Sequence, residues 1–183
     1  MIKYCFILDE EKGLVQLGAG CSDEYYIEIG MEQRDVEQSD IDFNWYLKNK
    51  CPHKSKEEKL KDAKELKYQE ALWGANNFLN GEAAYRVDEN NSIEATDGNI
   101  GKFTGYVIGF MTGTLTEVYW TSKEDNVIEI TSLEEVQAIL MGLGAIQADV
   151  WNRQFVAYKT KIDQAITVEE VETIEIKYKN LDE

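Results

Sequence analysis

Apolar positions along this chain change their period near residue 52. Residues 2–8 alternate and are rich in Ile, Tyr and Phe, the period-two signature of a half-buried strand. Asp9 to Gly13 reads as a turn, and Leu14-Val15-Gln16-Leu17 as the returning arm of a hairpin. Gly18 to Asp23 is a loop. Tyr25 to Ile29 fits a short helix or a strand equally well. Gly30-Met31 leads into a further strand around Arg34–Val36. Ser39-Asp40-Ile41-Asp42 reads as a turn or cap ahead of an aromatic group, Phe43, Trp45 and Tyr46.

Beyond Pro52 the spacing becomes helical. Ser55 with Glu58 forms a capping box, in which hydroxyl and carboxylate each satisfy an amide of the first turn, and the helix it opens is expected to run to about Trp73. In residues 76–95, Phe78, Gly81, Tyr85, Val87 and Ile93 are separated by polar and turn residues, as in a short hairpin. Thr96 or Asp97 caps a second helix that reaches about Thr112. Glu117–Trp120 and Asn126–Ile130 alternate around Lys123-Glu124-Asp125, a second hairpin. Ser132 with Glu135 opens the strongest helix, whose apolar face carries Val136, Ile139, Leu140, Leu143, Ile146 and Val150 and continues through Ala157, Tyr158 and Ile162. Thr167 with Glu170 caps a last short helix bearing Val171, Ile174 and Ile176. The pattern predicts an α+β protein: a small β-rich N-terminal head over residues 1–52, then a mostly helical body over 53–183 with short β-hairpins and a long C-terminal helix.

Length adds little to this, since 183 residues accommodate a head and a body and can bury a core without disulfides or metal. Charge adds more. A formal net charge of −16 repels nucleic-acid phosphates and anionic membranes, so neither is an expected partner, whereas a basic protein surface is permitted. The three cysteines, Cys5, Cys21 and Cys51, form an odd set in the first third, which fits a reducing compartment better than a disulfide framework. The apolar start stops at Asp9-Glu10-Glu11, too soon for a signal peptide, and no uncharged run reaches transmembrane length, so no membrane insertion is expected.

Candidate chemistry is sparse. The single histidine, His53, lies beside Pro52 in the expected linker, where no packing would hold an imidazole for catalysis. Cys5, Cys21, Cys51 and His53 have the ligand types of a zinc site but not its short paired spacings. The stretch Thr96 to Phe103 lacks both the glycine and the hydroxyl of a phosphate-binding loop. Glu57-Glu58, Glu134-Glu135 and Glu169-Glu170 sit in first helical turns, where they favour the helix dipole. No catalytic residue, cofactor or metal ligand is therefore expected. Gly101, Gly105, Gly109 and Gly113 recur every four residues on one helix face. A membrane-dimer stripe is excluded by the short segment and by Lys102, leaving close packing on the long C-terminal helix as the expectation. Phe43, Trp45 and Tyr46 suit a sugar platform, a partner contact or the core of the head.

Two stretches carry a resemblance. Asp35-Val36, through Asn44-Trp45-Tyr46-Leu47 to Cys51-Pro52, resembles the short N-terminal module of phage and prophage tail proteins. Lys59 to Tyr178, with Trp120-Thr121, Asn126-Val127, Ile162 and the run from Ala165 to Ile174, is similar to a domain of unknown function in phage tail-fibre-associated proteins. Gly81-Glu82-Ala83-Ala84-Tyr85 departs from that family's tight turn. The resemblance implies a structural tail protein, an adaptor, hinge or attachment component, made in the bacterial host cytoplasm and carried in the virion tail. Tail or tail-fibre proteins are its implied partners, with trimers or dimers of itself on the analogy of tail fibres. A tail-fibre assembly chaperone and a receptor- or glycan-binding module are the alternatives. The family supplies no catalytic residues. Candidate interaction residues are Phe43, Trp45 and Tyr46, and the apolar face from Val136 to Val150.

Overall fold

Strands β1 (Ile2–Asp9), β2 (Leu14–Leu17), β3 (Glu32–Gln38) and β4 (Trp45–Leu47) close into a small antiparallel barrel in the order β1-β2-β4-β3. The computed structural model describes residues 1–181. β1 is long enough to serve two neighbours: its first half pairs with β3, from Ile2↔Asp35 to Cys5↔Glu32, and its second with β2, from Cys5↔Leu17 to Asp9↔Leu14. The register slips between Ile7 and Asp9, leaving Leu8 as the extra residue of a bulge. Alternation sends Cys5, Val15 and Val36 inward, with Leu17, Trp45 and Leu47 packed around them. The N-terminus seals the β3 side, where Met1 and Val36 exchange hydrogen bonds of 2.9 and 2.8 Å.

The ambiguous segment is a helix, α1 (Asp23–Glu28). Its cap decides: Ser22 accepts from the Tyr25 amide, and Asp23 and Glu24 occupy the first turn. The helix buries Tyr26, whose hydroxyl accepts a 2.8 Å hydrogen bond from the Cys21 amide.

The chain forms two compact units, Met1–Lys59 and the part from Leu60 onward. The division falls beyond the expected boundary at residue 52. Residues after Pro52 stay tied to the head, because Asp40 accepts from the Lys54 amide at 2.7 Å and pairs with Lys59 at 2.8 Å.

Helix α2 (Lys56–Gly81) opens on the Ser55–Glu58 capping box, with reciprocal bonds of 2.8 and 3.1 Å. It runs past Trp73, contrary to the sequence-based expectation, because Ala75, Phe78 and Leu79 are buried in the core of the second unit. Tertiary packing outweighs the weak helix propensity of the Asn residues there. A hairpin of β5 (Ala84–Arg86) and β6 (Ser92–Glu94) follows, then α3 (Asp97–Thr112), capped by Thr96. A second hairpin pairs β7 (Val118–Thr121) with β8 (Val127–Ile130).

The C-terminal helical run is α4 (Leu133–Asp149), a π-helical segment over Val150–Phe155, and α5 (Val156–Gln164). The Ser132–Glu135 capping box is present in full. Beyond Val150 the inward residues are Trp151, Gln154, Phe155, Tyr158 and Ile162. Ala157, expected on this face, is exposed.

The last helix, α6 (Val168–Glu172), carries Val171 but not Ile174 or Ile176. Those belong to an extended tail in which Ile174, Ile176 and Tyr178 turn inward between exposed Glu175 and Lys177. This is a period of two and not of a helix. Gln154 clamps the tail through both its amide atoms, Nε2 donating to Lys179 O at 2.8 Å and Oε1 accepting from Lys179 N at 3.1 Å.

Candidate interaction surface at an aromatic turn

The turn between β3 and β4 holds Phe43 in the left-handed region, at φ 61°, and leaves the residue 72% exposed. A bulky residue is rare in that conformation and costs about 1 kcal/mol or more unless its surroundings impose it. Here they do. Gln38 Nε2 donates to the Phe43 carbonyl at 2.8 Å, and the Phe43 amide donates to Ser39 O at 3.2 Å. Ser39 is buried, its amide bound to Asn44 O at 2.9 Å and its hydroxyl accepting from the Ile41 amide at 3.1 Å.

Asp42 braces the other side. It accepts from the Asn44 amide at 3.1 Å, from Asn44 Nδ2 at 3.0 Å and from the Tyr46 hydroxyl at 2.7 Å. The bonds from Tyr46 and then Asn44 hold its carboxyl down to about 2, and Asp42 in turn pushes the Tyr46 phenol up. The three aromatics thus separate by role. Trp45 packs on the barrel core, Tyr46 props the turn, and Phe43 points to solvent.

Asp40, two residues earlier, is also held down to about 2, first by Lys59 and then by the Lys54 amide. His53 lies between carboxylates, 3.6 Å from Asp40 and 3.7 Å from Glu37. Cys51 donates to Glu37 O at 3.6 Å, and burial together with Glu37, Asp40 and Asp42 pushes its thiol up, opposite to what a nucleophile requires.

The other sequence candidates do not gather here. Val136, Ile139, Leu143, Ile146 and Val150 are buried in the second unit's own core and Leu140 is half-buried, so this face is not available to a partner. The glycine stripe is corrected too. A Cβ at Gly101 or Gly105 would meet nothing, and Gly113 is the left-handed C-cap of α3 at φ 70°. Only Gly109 is closely approached, by Leu115, whose Cγ would lie 2.7 Å from an added Cβ. The glycines therefore do not mediate packing on α4. Cys5 is buried in the barrel and Cys21 is exposed; among the described residues no group of three or more His, Cys, Asp or Glu side chains is placed to hold a metal ion. No described helix is long and apolar enough to cross a membrane.

Sequence reasoning named Phe43 but missed what fixes it, the Gln38 and Asp42 bonds. Asp42-x-Asn44, a side chain bonding two residues on, was the available signal. Comparison of the chain with protein-family models, curated proteins and solved structures gave no match.

Proposed function

We propose that this chain is a structural protein of a bacteriophage tail, an adaptor or attachment component of the fibre apparatus that works by protein–protein contact and catalyses no reaction. The resemblance of residues 35–52 and 59–178 to phage tail-associated proteins supplies the context. The observation that carries the contact reading is Phe43, an apolar ring presented to water on a backbone that hydrogen bonds hold in an unfavourable conformation. Strain of this kind is retained where the presented side chain has a use. Exposed aromatic anchors are also over-represented among residues that dominate binding. Asp42, which precedes Phe43 in the chain and whose carboxyl is held in its charged form, favours a partner with a basic residue near its apolar pocket.

The test is a photo-crosslinking amino acid at position 43 during phage assembly. A crosslink to another tail protein is expected, absent when the same group replaces exposed Trp73. Equal crosslinking from both positions would remove the turn from the account.

A further inference from the structure

Within the barrel, the second half of β1 has no partner on its β3 side. Met1 exchanges hydrogen bonds with Val36 of β3, whereas Tyr4 accepts from Gly18 on the β2 side. Backbone groups of successive strand residues point to opposite sides, so odd residues of β1 face β3 and even ones face β2. The pairing with β3 stops at Cys5↔Glu32, and Ile7, the next odd residue, is matched only with Val15 of β2. Its N–H and C=O therefore point along the vacant continuation of β3. That space is a groove between Cys5–Leu8 on one wall and Gly30, Glu32 and Arg34 on the other, with Glu10 at its end. Gly30 (φ 83°) turns the chain away from β1 here.

The side chains around the groove suit a polypeptide. Ile7 and the bulged Leu8 are exposed, the latter at 58%, and so are Ile27 (63%) and Ile29 on the approach to Gly30. So many exposed aliphatic side chains near one edge mark a contact surface. Arg34 is engaged by Glu32, so acid exceeds base along the groove.

We propose that β1 accepts an added strand from a partner protein: an extended segment with apolar residues at alternate positions and Lys or Arg at its ends, pairing with Ile7 and continuing the track of β3. A net charge of −16 opposes a second copy of this chain as the occupant. The groove and Phe43 lie beyond opposite ends of β3, and the inference holds whether or not the protein resides in a virion.

The test uses the full chain and short synthetic peptides in which Val and Thr alternate between terminal lysines. The same peptides N-methylated along one edge, and versions ending in Glu, serve as controls. Binding of the lysine peptides is expected, with new hydrogen-exchange protection at the Ile7 amide. N-methylation should weaken it by about tenfold, because it removes the donor to the Ile7 carbonyl, a bond worth about 1 kcal/mol, and puts a methyl group in the pairing edge. The Glu peptides should bind more weakly. Ile7→Pro, which removes the outward N–H and spares the β2 ladder, should abolish binding. If that variant does not fold, Leu8→Lys and the N-methylated peptides carry the comparison. Failure of every lysine peptide to bind, or indifference to N-methylation, overturns the proposal. Equal binding of the Glu peptides overturns the basic partner, as does Ile7 protection that rises with protein concentration alone, the signature of self-pairing.

Discussion

The hydroxyl of Tyr46 donates a 2.7 Å hydrogen bond to Asp42 across the turn that presents Phe43. It is the first cause of the lowered Asp42 pKa, about 2 against an ordinary 3.8. A carboxyl depressed on folding stabilises the fold above its unfolded pKa, and that contribution disappears as pH falls through the folded value. The turn should therefore keep its conformation from neutral pH down to the ordinary carboxylate range and loosen only as the pH falls from there toward 2. NMR titration of the Asp42 carboxyl checks this directly. Tyr46→Phe should raise its midpoint toward 3.8 and move the loosening up with it.

Phe43 itself offers a separation of stability from binding. Phe43→Gly relieves the left-handed backbone, so the head should become more stable by about 1 kcal/mol while losing its anchor. Chemical denaturation of the variant, with partner capture alongside, gives both readings. A variant that is destabilised and still binds would show the ring to be structural.

The glycines of α3 predict opposite signs from one substitution. Gly105→Ala meets open space and should stabilise by about 0.5–1 kcal/mol. Gly109→Ala forces Leu115 aside and should destabilise, because its added carbon would sit 2.7 Å from Cγ. Paired unfolding curves decide.

Gln154 is only 8% exposed and is the clamp on the C-terminal tail. Gln154→Leu leaves the Lys179 amide and carbonyl without this partner, at a cost of about 1–3 kcal/mol. Hydrogen exchange should show the Lys179 amide deprotected while that of Leu143, deep in α4, stays slow.

Capping chemistry was legible in the sequence wherever it was local. Ser55, Thr96, Ser132 and Thr167 each open the helix expected of them, because a cap is a contact between residues three apart. Long-range competition was not legible. Asn76, Asn77 and Asn80 gave no reason to extend α2 past Trp73; burial of Phe78 and Leu79 did. The π segment left no mark in the sequence, since Trp151, Gln154, Phe155, Tyr158 and Ile162 read as an ordinary helix face. At the site, composition identified an aromatic group but not its division into Trp45 inside and Phe43 outside. Strand parity would have put the two on one face, since they are two apart; Phe43 escapes it because it lies in the turn before β4 with a left-handed backbone. The apolar face of α4 was legible as a face; that the chain covers it itself followed only from the fold.

We propose that the protein works as a part of a phage tail. Quantitative mass spectrometry of particles purified from a phage whose genome carries this sequence tests this most directly. The account predicts the chain in fixed ratio to known tail proteins, surviving high-salt washing. Abundance in infected cells with absence from washed particles would contradict it and favour an assembly chaperone.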